Sequence, residues 1–184
     1  AKNYSHLNNI GLGQIDLDNG NVVAAKTKFA AAINEKKRKD FAEYVYVARA
    51  YMNSVKPDYK AALATLELAK EKSGQEPQVL LAFGDAYYGD KNQNAAYSAY
   101  RNAFQADNSF IRAKMQLGVL LKGAKAYTEA VAAYQAVVGT NPAYGPVYRE
   151  LAETYYYWGL NVPGRQDQYF KEALGYYEKY MSLT

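Results

Sequence analysis

Few side chains in this sequence have the chemistry of catalysis or metal binding. Cysteine is absent, and histidine occurs once among the 184 residues, as His6. The composition therefore excludes thiolate zinc sites, iron–sulfur clusters and a cysteine nucleophile, and it leaves no second histidine for a multi-histidine metal site. We expect His6 to be an ordinary surface residue. Because no nucleophile–base pair, phosphate loop or paired-carboxylate motif stands out, the sequence predicts a non-enzyme without cofactor or metal.

Two short motifs resemble ligand sites and are better explained by helix packing and turns. The Gly-Leu-Gly at residues 11–13 lacks the third glycine of a dinucleotide fingerprint, Asp16 stands in its place, and no strand precedes it. Residues 16–20 resemble the start of a calcium loop, but the glycine falls one place early and Thr27 replaces the bidentate glutamate. We expect a packed helix followed by a plain turn.

The charge balance is too mild to indicate nucleic acid or a membrane as partner. The net charge of +4 comes from 22 basic and 18 acidic residues. The basic run at residues 36–39 is predicted to end a helix, where cations complement the helix dipole. No stretch approaches the roughly 18 apolar residues of a spanning helix. We therefore expect neither nucleic-acid binding nor membrane insertion.

The elements that must position any binding residues are set by an internal repeat. Gly84 and Gly118 are 34 residues apart, and the same spacing separates Ala96 from Ala130. One residue per repeat is small, namely Gly13, Ala48, Gly84, Gly118 and Ala152. Small side chains at these places allow two helices to approach closely. Tyrosines at the large positions of this pattern are predicted to be core by register, namely Tyr87, Tyr100, Tyr134, Tyr155 and Tyr177.

Five repeats cover nearly the whole chain and predict one array over residues 1–184. Their approximate bounds are 6–40, 41–76, 77–110, 111–144 and 145–184. The last repeat has nine extra residues, which we place in its turn. Apolar residues recur at helical spacing throughout, and the pattern predicts helices over 4–18, 21–36, 41–54, 59–73, 77–89, 93–106, 110–123, 127–139, 144–158 and 167–182.

This pattern resembles the tetratricopeptide repeat family, whose unit is a helix–turn–helix of 34 residues. The resemblance covers roughly residues 4–183 and implies an all-α fold, a right-handed α/α superhelix or solenoid of about ten antiparallel helices. It further implies that the first helix of each repeat lines a concave groove that binds another protein or peptide. The tyrosine- and asparagine-rich, cysteine-free composition resembles exported bacterial members, which favours the periplasm or cell envelope.

On this sequence, the family's groove positions fall on the first helix of every repeat. Some members clamp a partner's terminal carboxylate there with lysine, asparagine and arginine, a set that these positions do not hold. Three arginines at these positions are predicted either to bind acidic groups of a partner or to pair with Asp85 and Glu153 on the chain itself. They are Arg49, Arg112 and Arg149. The predicted groove residues are Ile10, Gln14, Val45, Arg49, Leu81, Asp85, Tyr88, Arg112, Met115, Val119, Arg149, Glu153 and Tyr156.

The insertion in the last repeat is a second candidate site. It holds the chain's one tryptophan, Trp158, and is followed by Arg165. A binding loop and a cover over the open end of the array both fit this segment. The leading functional hypothesis is a protein-interaction scaffold that binds a partner peptide or helix. The alternative is a structural or assembly subunit that self-associates or docks through its terminal repeats, which the aromatic-rich fifth repeat suggests.

Overall fold

The structure is a computed structural model that describes residues 5–35 and 41–184, and within these ranges it is all-α without a strand. The described helices are α1 (Ser5–Asp18), α2 (Val22–Glu35), α3 (Ala42–Asn53), α4 (Tyr59–Ser73), α5 (Pro77–Gly89), α6 (Gln93–Ala106), α7 (Ile111–Gly123), α8 (Tyr127–Thr140), α9 (Gly145–Asn161) and α10 (Gln166–Met181). Over residues 5–35 and 41–184, these ten helices confirm the predicted map closely. The basic run at residues 36–39 lies outside the described residues.

The chain divides into two compact bodies, each built from antiparallel hairpins. The N-terminal body, Ala1–Ala106, contains the hairpins α1/α2, α3/α4 and α5/α6. The C-terminal body, Asp107–Thr184, contains α7/α8 and α9/α10. Each body has its own apolar core, with Phe29 and Leu66 in the first and Tyr134 and Leu151 in the second.

Close packing inside the hairpins explains the repeated small residues. A Cβ atom built on Gly13 would lie 2.4 Å from the ring of Phe29, and one on Gly84 would lie 2.3 Å from the ring of Tyr100. These distances are far below van der Waals contact, so no other residue fits without movement of the ring. Gly118 meets Tyr134 in the same way at 2.4 Å. The predicted equivalence of the glycines is confirmed.

The turns inside three hairpins share one backbone feature. Gly20, Lys91 and Lys125 occupy the same place in their repeats and have φ of 80°, 62° and 61°. This left-handed conformation disfavours residues with a Cβ atom. The calcium-loop pattern before Gly20 is the end of α1 followed by this turn, as expected.

The nine extra residues of the last repeat lengthen its helices rather than its turn. Counted from the small residue of the first helix, which is Ala152 in this repeat, α9 ends four residues later than α5 and α7. Counted from the alanine that recurs in the second helix, which is Ala173 here, α10 begins four residues earlier than α6 and α8. Each helix therefore gains about one turn. The connecting segment is residues 162–165. Trp158 thus lies on α9, and its placement in a loop is wrong.

His6 departs from the surface position that we expected. Its side chain is 12% exposed, and its Nε2 atom lies 3.8 Å from Oε1 of Glu43, which is itself 2% exposed. Both residues belong to the N-terminal body, where α1 packs against α3.

Among the described residues, no helix has the length and apolar character to cross a membrane. Over the same ranges, no three acidic or histidine side chains are grouped to hold a metal ion.

Candidate functional site

The candidate site is a surface of the C-terminal body formed by two neighbouring first helices, α7 and α9, which contact each other. We call it the α7/α9 face. Three places in each repeat supply six of its residues: three residues before the small residue, one residue after it, and four residues after it. Arg112, six residues before Gly118, and Tyr157, five residues after Ala152, extend it. The face comprises Arg112, Met115, Val119 and Lys122 on α7 and Arg149, Glu153, Tyr156 and Tyr157 on α9. Arg112, Arg149, Tyr156 and Tyr157 are exposed and the others are half-buried.

In the N-terminal body, the first of these places is closed to solvent. Ile10, Val45 and Leu81, each three residues before the small residue of its repeat, are 8%, 2% and 0% exposed. The prediction that they line an accessible groove is wrong. The helix α3 contacts both α1 and α5, so a side chain directed along this layer is enclosed by the neighbouring first helix.

The remaining predicted groove residues of the N-terminal body keep partial access to solvent. Gln14, Arg49 and Asp85 are half-buried, and Tyr88 is 44% exposed. Asp85 accepts a hydrogen bond from the Tyr100 hydroxyl at 3.0 Å. Of the predicted groove residues in this body, those that keep access to solvent are therefore mainly polar.

Charged side chains on the α7/α9 face pair with one another. Lys122 Nζ lies 2.8 Å from Glu150 Oε2 and 2.7 Å from Glu153 Oε2. The Tyr134 hydroxyl donates to Glu150 Oε2 at 3.2 Å, and Arg149 Nη2 donates to Glu150 Oε1 at 3.3 Å. Arg149 Nε also lies 3.9 Å from Glu153 Oε1, which agrees with the predicted pairing. Two cations and two carboxylates therefore neutralise each other and join α7 to α9.

Burial and pairing act in opposite directions on this network. Burial alone would raise the pKa of Glu150, but hydrogen bonds from Lys122, Arg149 and Tyr134 and the charge of Lys122 outweigh it and lower the pKa. Burial alone would lower the pKa of Lys122, but its bonds to Glu150 and Glu153 raise it. Both groups are held in their charged forms near neutral pH. Glu150 itself is only 8% exposed.

Aromatic side chains provide most of the accessible apolar surface beside this network. Tyr156 and Tyr157 are 45% and 47% exposed, and their rings meet edge to face with centroids 5.7 Å apart. Tyr177 on α10 is 38% exposed. Partial burial raises the pKa of Tyr177, and the nearby negative charge of Glu153 raises it further. Three tyrosines therefore surround the paired charges.

The exposure of Tyr177 corrects the prediction that it is a core residue. Its equivalents Tyr100 and Tyr134 are 2% and 0% exposed because each ring lies against a glycine. The fifth repeat has Ala152 where those repeats have glycine. A methyl group there occupies the space that the ring needs, so Tyr177 remains near the surface. Alanine in place of glycine at residue 152 is therefore the feature of the sequence that could have predicted the exposure of Tyr177.

Trp158 belongs to a packed aromatic stack rather than to an open loop site. Its ring lies 4.7 Å from that of Tyr169, 5.8 Å from that of Tyr127 and 5.9 Å from that of Tyr155, all with interplanar angles below 30°. The half-buried indole thus joins α8, α9 and α10. Arg165 is exposed immediately before α10. The structure does not bring Arg165 to the α7/α9 face through any described contact.

Comparisons with solved structures agree with this architecture. A crystal structure of MamA matches with a TM-score of 0.66 and 17% identity, covering 97% of this chain and 94% of that one. A structure of PilF from Pseudomonas aeruginosa matches with a TM-score of 0.70 and 21% identity, covering 98% of this chain and 77% of that one. A third match is YrrB, described as a TPR protein with an unusual peptide-binding site, with a TM-score of 0.63 and 18% identity over 96% of this chain and 84% of that one.

Comparisons of sequence alone give no match. No protein-family model matches the chain, and no curated protein matches it significantly. The structural matches and the ten described helices show an all-α fold of the tetratricopeptide-repeat solenoid type, as the 34-residue repeat predicts. At these identities the likeness concerns the fold, and the function must be argued from the surface itself.

Proposed function

We propose that this chain is a protein-interaction scaffold and that the α7/α9 face binds an extended or helical segment of a partner protein. The observation that carries the proposal is the exposure of Tyr156, Tyr157 and Tyr177 around charges that already pair with one another. Tyrosine supplies a large apolar ring with a hydrogen-bonding tip, and it is enriched in the central contacts of protein interfaces.

Pairing within the network determines what kind of partner the face suits. Lys122, Glu150 and Glu153 satisfy each other, so binding does not depend on a strongly charged ligand. Met115 and Val119 add half-buried apolar surface on α7. The polar groups of Arg149 and the tyrosine hydroxyls remain to orient the ligand. The peptide-binding site reported for YrrB shows that a protein of this fold binds peptides, which supports the proposal.

Selection of peptides from a random library tests the proposal directly. A displayed library is selected on the full chain, and the affinities of the enriched peptides are measured for the protein and its Met115→Glu/Tyr156→Glu variant. We expect the double variant to lose at least about tenfold in affinity, because charges replace central apolar contacts. Val23→Glu is the matched control, since Val23 is 82% exposed on α2 and belongs to the N-terminal body.

Circular dichroism establishes that both variants remain folded. Equal affinity of the selected peptides for the protein and the double variant rejects the face as the binding site. Failure of repeated selections to enrich any peptide rejects peptide binding as the function.

A second candidate function, self-association through α10, is favoured by a specific surface. Leu174, Tyr177 and Met181 follow one another at helical spacing on α10 and are 59%, 38% and 70% exposed. Such a stripe is typical of a helix that packs against another protein surface. Sedimentation velocity over a wide concentration range tests it: a dimer that Leu174→Arg/Met181→Arg abolishes supports self-association, and a monomer throughout contradicts it.

A further inference from the structure

Three helices in each body are equivalent by repeat register. The helices α4 and α5 lie 68 residues before α8 and α9, as the pairs Ala62/Ala130 and Gly84/Ala152 show. The helix α6 lies 77 residues before α10 because the last repeat is nine residues longer. The matched alanines Ala96 and Ala173 are both buried, at 0% and 3% exposure. Each residue of α4, α5 and α6 therefore has a counterpart in the C-terminal body.

In the C-terminal body, a tyrosine fills the cleft between the two second helices. The Tyr176 ring on α10 stacks on that of Tyr155 at 5.5 Å and 17°, and on that of Tyr148 at 6.5 Å and 28°. Gln135 Nε2 on α8 donates a hydrogen bond to the Tyr176 hydroxyl at 2.8 Å. The ring is thus held by an aromatic wall on α9 and by a polar group on α8.

In the N-terminal body, the equivalent cleft is open. The counterpart of Tyr176 is Ala99, whose methyl group leaves a cavity of about 260 Å³. Leu80 and Tyr87 line it where Tyr148 and Tyr155 line the other cleft. This volume is below the roughly 300–1,000 Å³ of clefts that hold drug-sized ligands, which suits a single side chain.

The walls of the open cleft complement a phenol. The rings of Phe83 and Tyr87 are nearly parallel, with centroids 6.1 Å apart and an interplanar angle of 24°. Glu67 stands at the counterpart of Gln135, so a hydrogen-bond acceptor replaces the donor that holds the Tyr176 hydroxyl. Its carboxylate is accessible and lies 3.8 Å from Lys70 Nζ. A phenolic O–H directed at Glu67 would complement this negative charge.

We propose that the cleft between α4 and α6 binds a tyrosine side chain of a partner polypeptide, in the position that Tyr176 occupies in the C-terminal body. The ring packs against Leu80 and Tyr87 over Ala99, and the hydroxyl donates to Glu67. This site lies on other helices than the α7/α9 face, so it does not rest on the function proposed for that face.

Binding of p-cresol, the side-chain analogue of tyrosine, to the full chain tests the proposal. Methyl signals of Leu80 and Ala99 are followed by nuclear magnetic resonance during the titration. We expect saturable shifts at both methyl groups, and about fivefold weaker binding of 4-methylanisole, which lacks the hydroxyl hydrogen. Absence of saturable shifts with p-cresol would overturn the proposal.

Two variants identify the site. Ala99→Tyr places a ring of the chain itself in the cleft, and we expect it to abolish p-cresol binding, whereas Gln105→Tyr on the same helix outside the cleft should leave binding unchanged. Glu67→Ala alters an exposed side chain and should remove the preference for p-cresol over 4-methylanisole. Unchanged binding to folded Ala99→Tyr overturns the proposal. Should that variant unfold, an unchanged preference in Glu67→Ala overturns it instead.

Discussion

Single residues in the hairpin turns adopt a backbone conformation that their side chains disfavour. Lys91 and Lys125 have φ of 62° and 61° at the place where the first repeat has Gly20. A left-handed residue with a Cβ atom costs about 1–2 kcal/mol, which glycine avoids. The packing of the hairpin therefore determines the turn geometry. Two of the repeats adopt this geometry although they have lysine where glycine would suit it best.

Lys91→Gly should stabilise the protein. We expect a gain of roughly 0.5–1 kcal/mol in the free energy of unfolding, because relief of the left-handed strain exceeds the extra entropy of glycine in the unfolded chain. Urea unfolding measures the change. Lys91→Ala is the matched control, since alanine keeps the Cβ atom and should give no gain. Equal stability of the glycine and alanine variants would contradict the backbone strain that we infer at Lys91.

Acid should weaken the network on the α7/α9 face. The folded pKa of Glu150 lies below its ordinary value of 4.5, so its contribution to stability is fully present above that pH. The contribution is lost as the pH falls through the folded pKa. Lys122 has the opposite dependence: its folded pKa lies above 10.5, so its contribution is present below that pH and is lost at higher alkalinity.

Glu150→Gln isolates this contribution. We expect the variant to be about 1–3 kcal/mol less stable at neutral pH, because Lys122 and Tyr134 lose a charged partner. Thermal unfolding of the variant and of the unaltered protein is measured at neutral pH and below pH 4.5. The variant should lose less stability on acidification than the unaltered protein. Glu129→Gln, at an exposed position on α8, controls for the loss of one carboxylate. An identical acid dependence in the protein and Glu150→Gln would show that the network carries no pH-dependent stability.

At the scale of the hairpin, packing couples one small residue to one large residue. Glycine accompanies an aromatic ring in the pairs Gly13/Phe29, Gly84/Tyr100 and Gly118/Tyr134. Where the small residue is Ala48, the large one is Leu66, which is fully buried. The hairpin thus accepts either a glycine with a ring or an alanine with a leucine, and the fifth repeat, with alanine and Tyr177, satisfies neither rule.

A double-mutant cycle on the first hairpin tests this coupling. Gly13→Ala should destabilise by about 1–3 kcal/mol, because its methyl group overlaps the Phe29 ring. Phe29→Leu should also destabilise, by loss of buried apolar surface. The combination should cost clearly less than the sum, since it recreates the Ala48/Leu66 pairing. Phe29 has no polar atom, so no hydrogen bond complicates the result. Simple additivity of the two changes would contradict the coupling.

The repeat made the helices predictable and left several contacts between them unpredictable. The 34-residue period located the ten helices of the described residues because it follows from packing inside each hairpin. Burial of Ile10, Val45 and Leu81 depends instead on the neighbouring first helix, which the period does not describe. Likewise, an insertion counted in sequence does not reveal whether it lengthens a turn or, as in α9 and α10, both helices.

At the scale of the whole molecule, each body has a core of its own. The N-terminal core includes Phe29 and Leu66, and the C-terminal core includes Tyr134 and Leu151. In repeat proteins, stability is approximately a sum over repeats and their interfaces, so a change in one region need not be felt equally elsewhere. A mutation in one body should therefore lower the local stability of that body more than the local stability of the other.

The stacked position of Trp158 gives the chain an intrinsic spectroscopic reporter of its last hairpin. It is the one tryptophan in the sequence, and its ring partners all lie on α8, α9 and α10. Indole emission during denaturation thus records the melting of that region, while far-ultraviolet ellipticity averages over every helix. A lesion such as Gly13→Ala should move the ellipticity midpoint further than the emission midpoint, and equal displacement would mean that the whole chain melts as one cooperative unit.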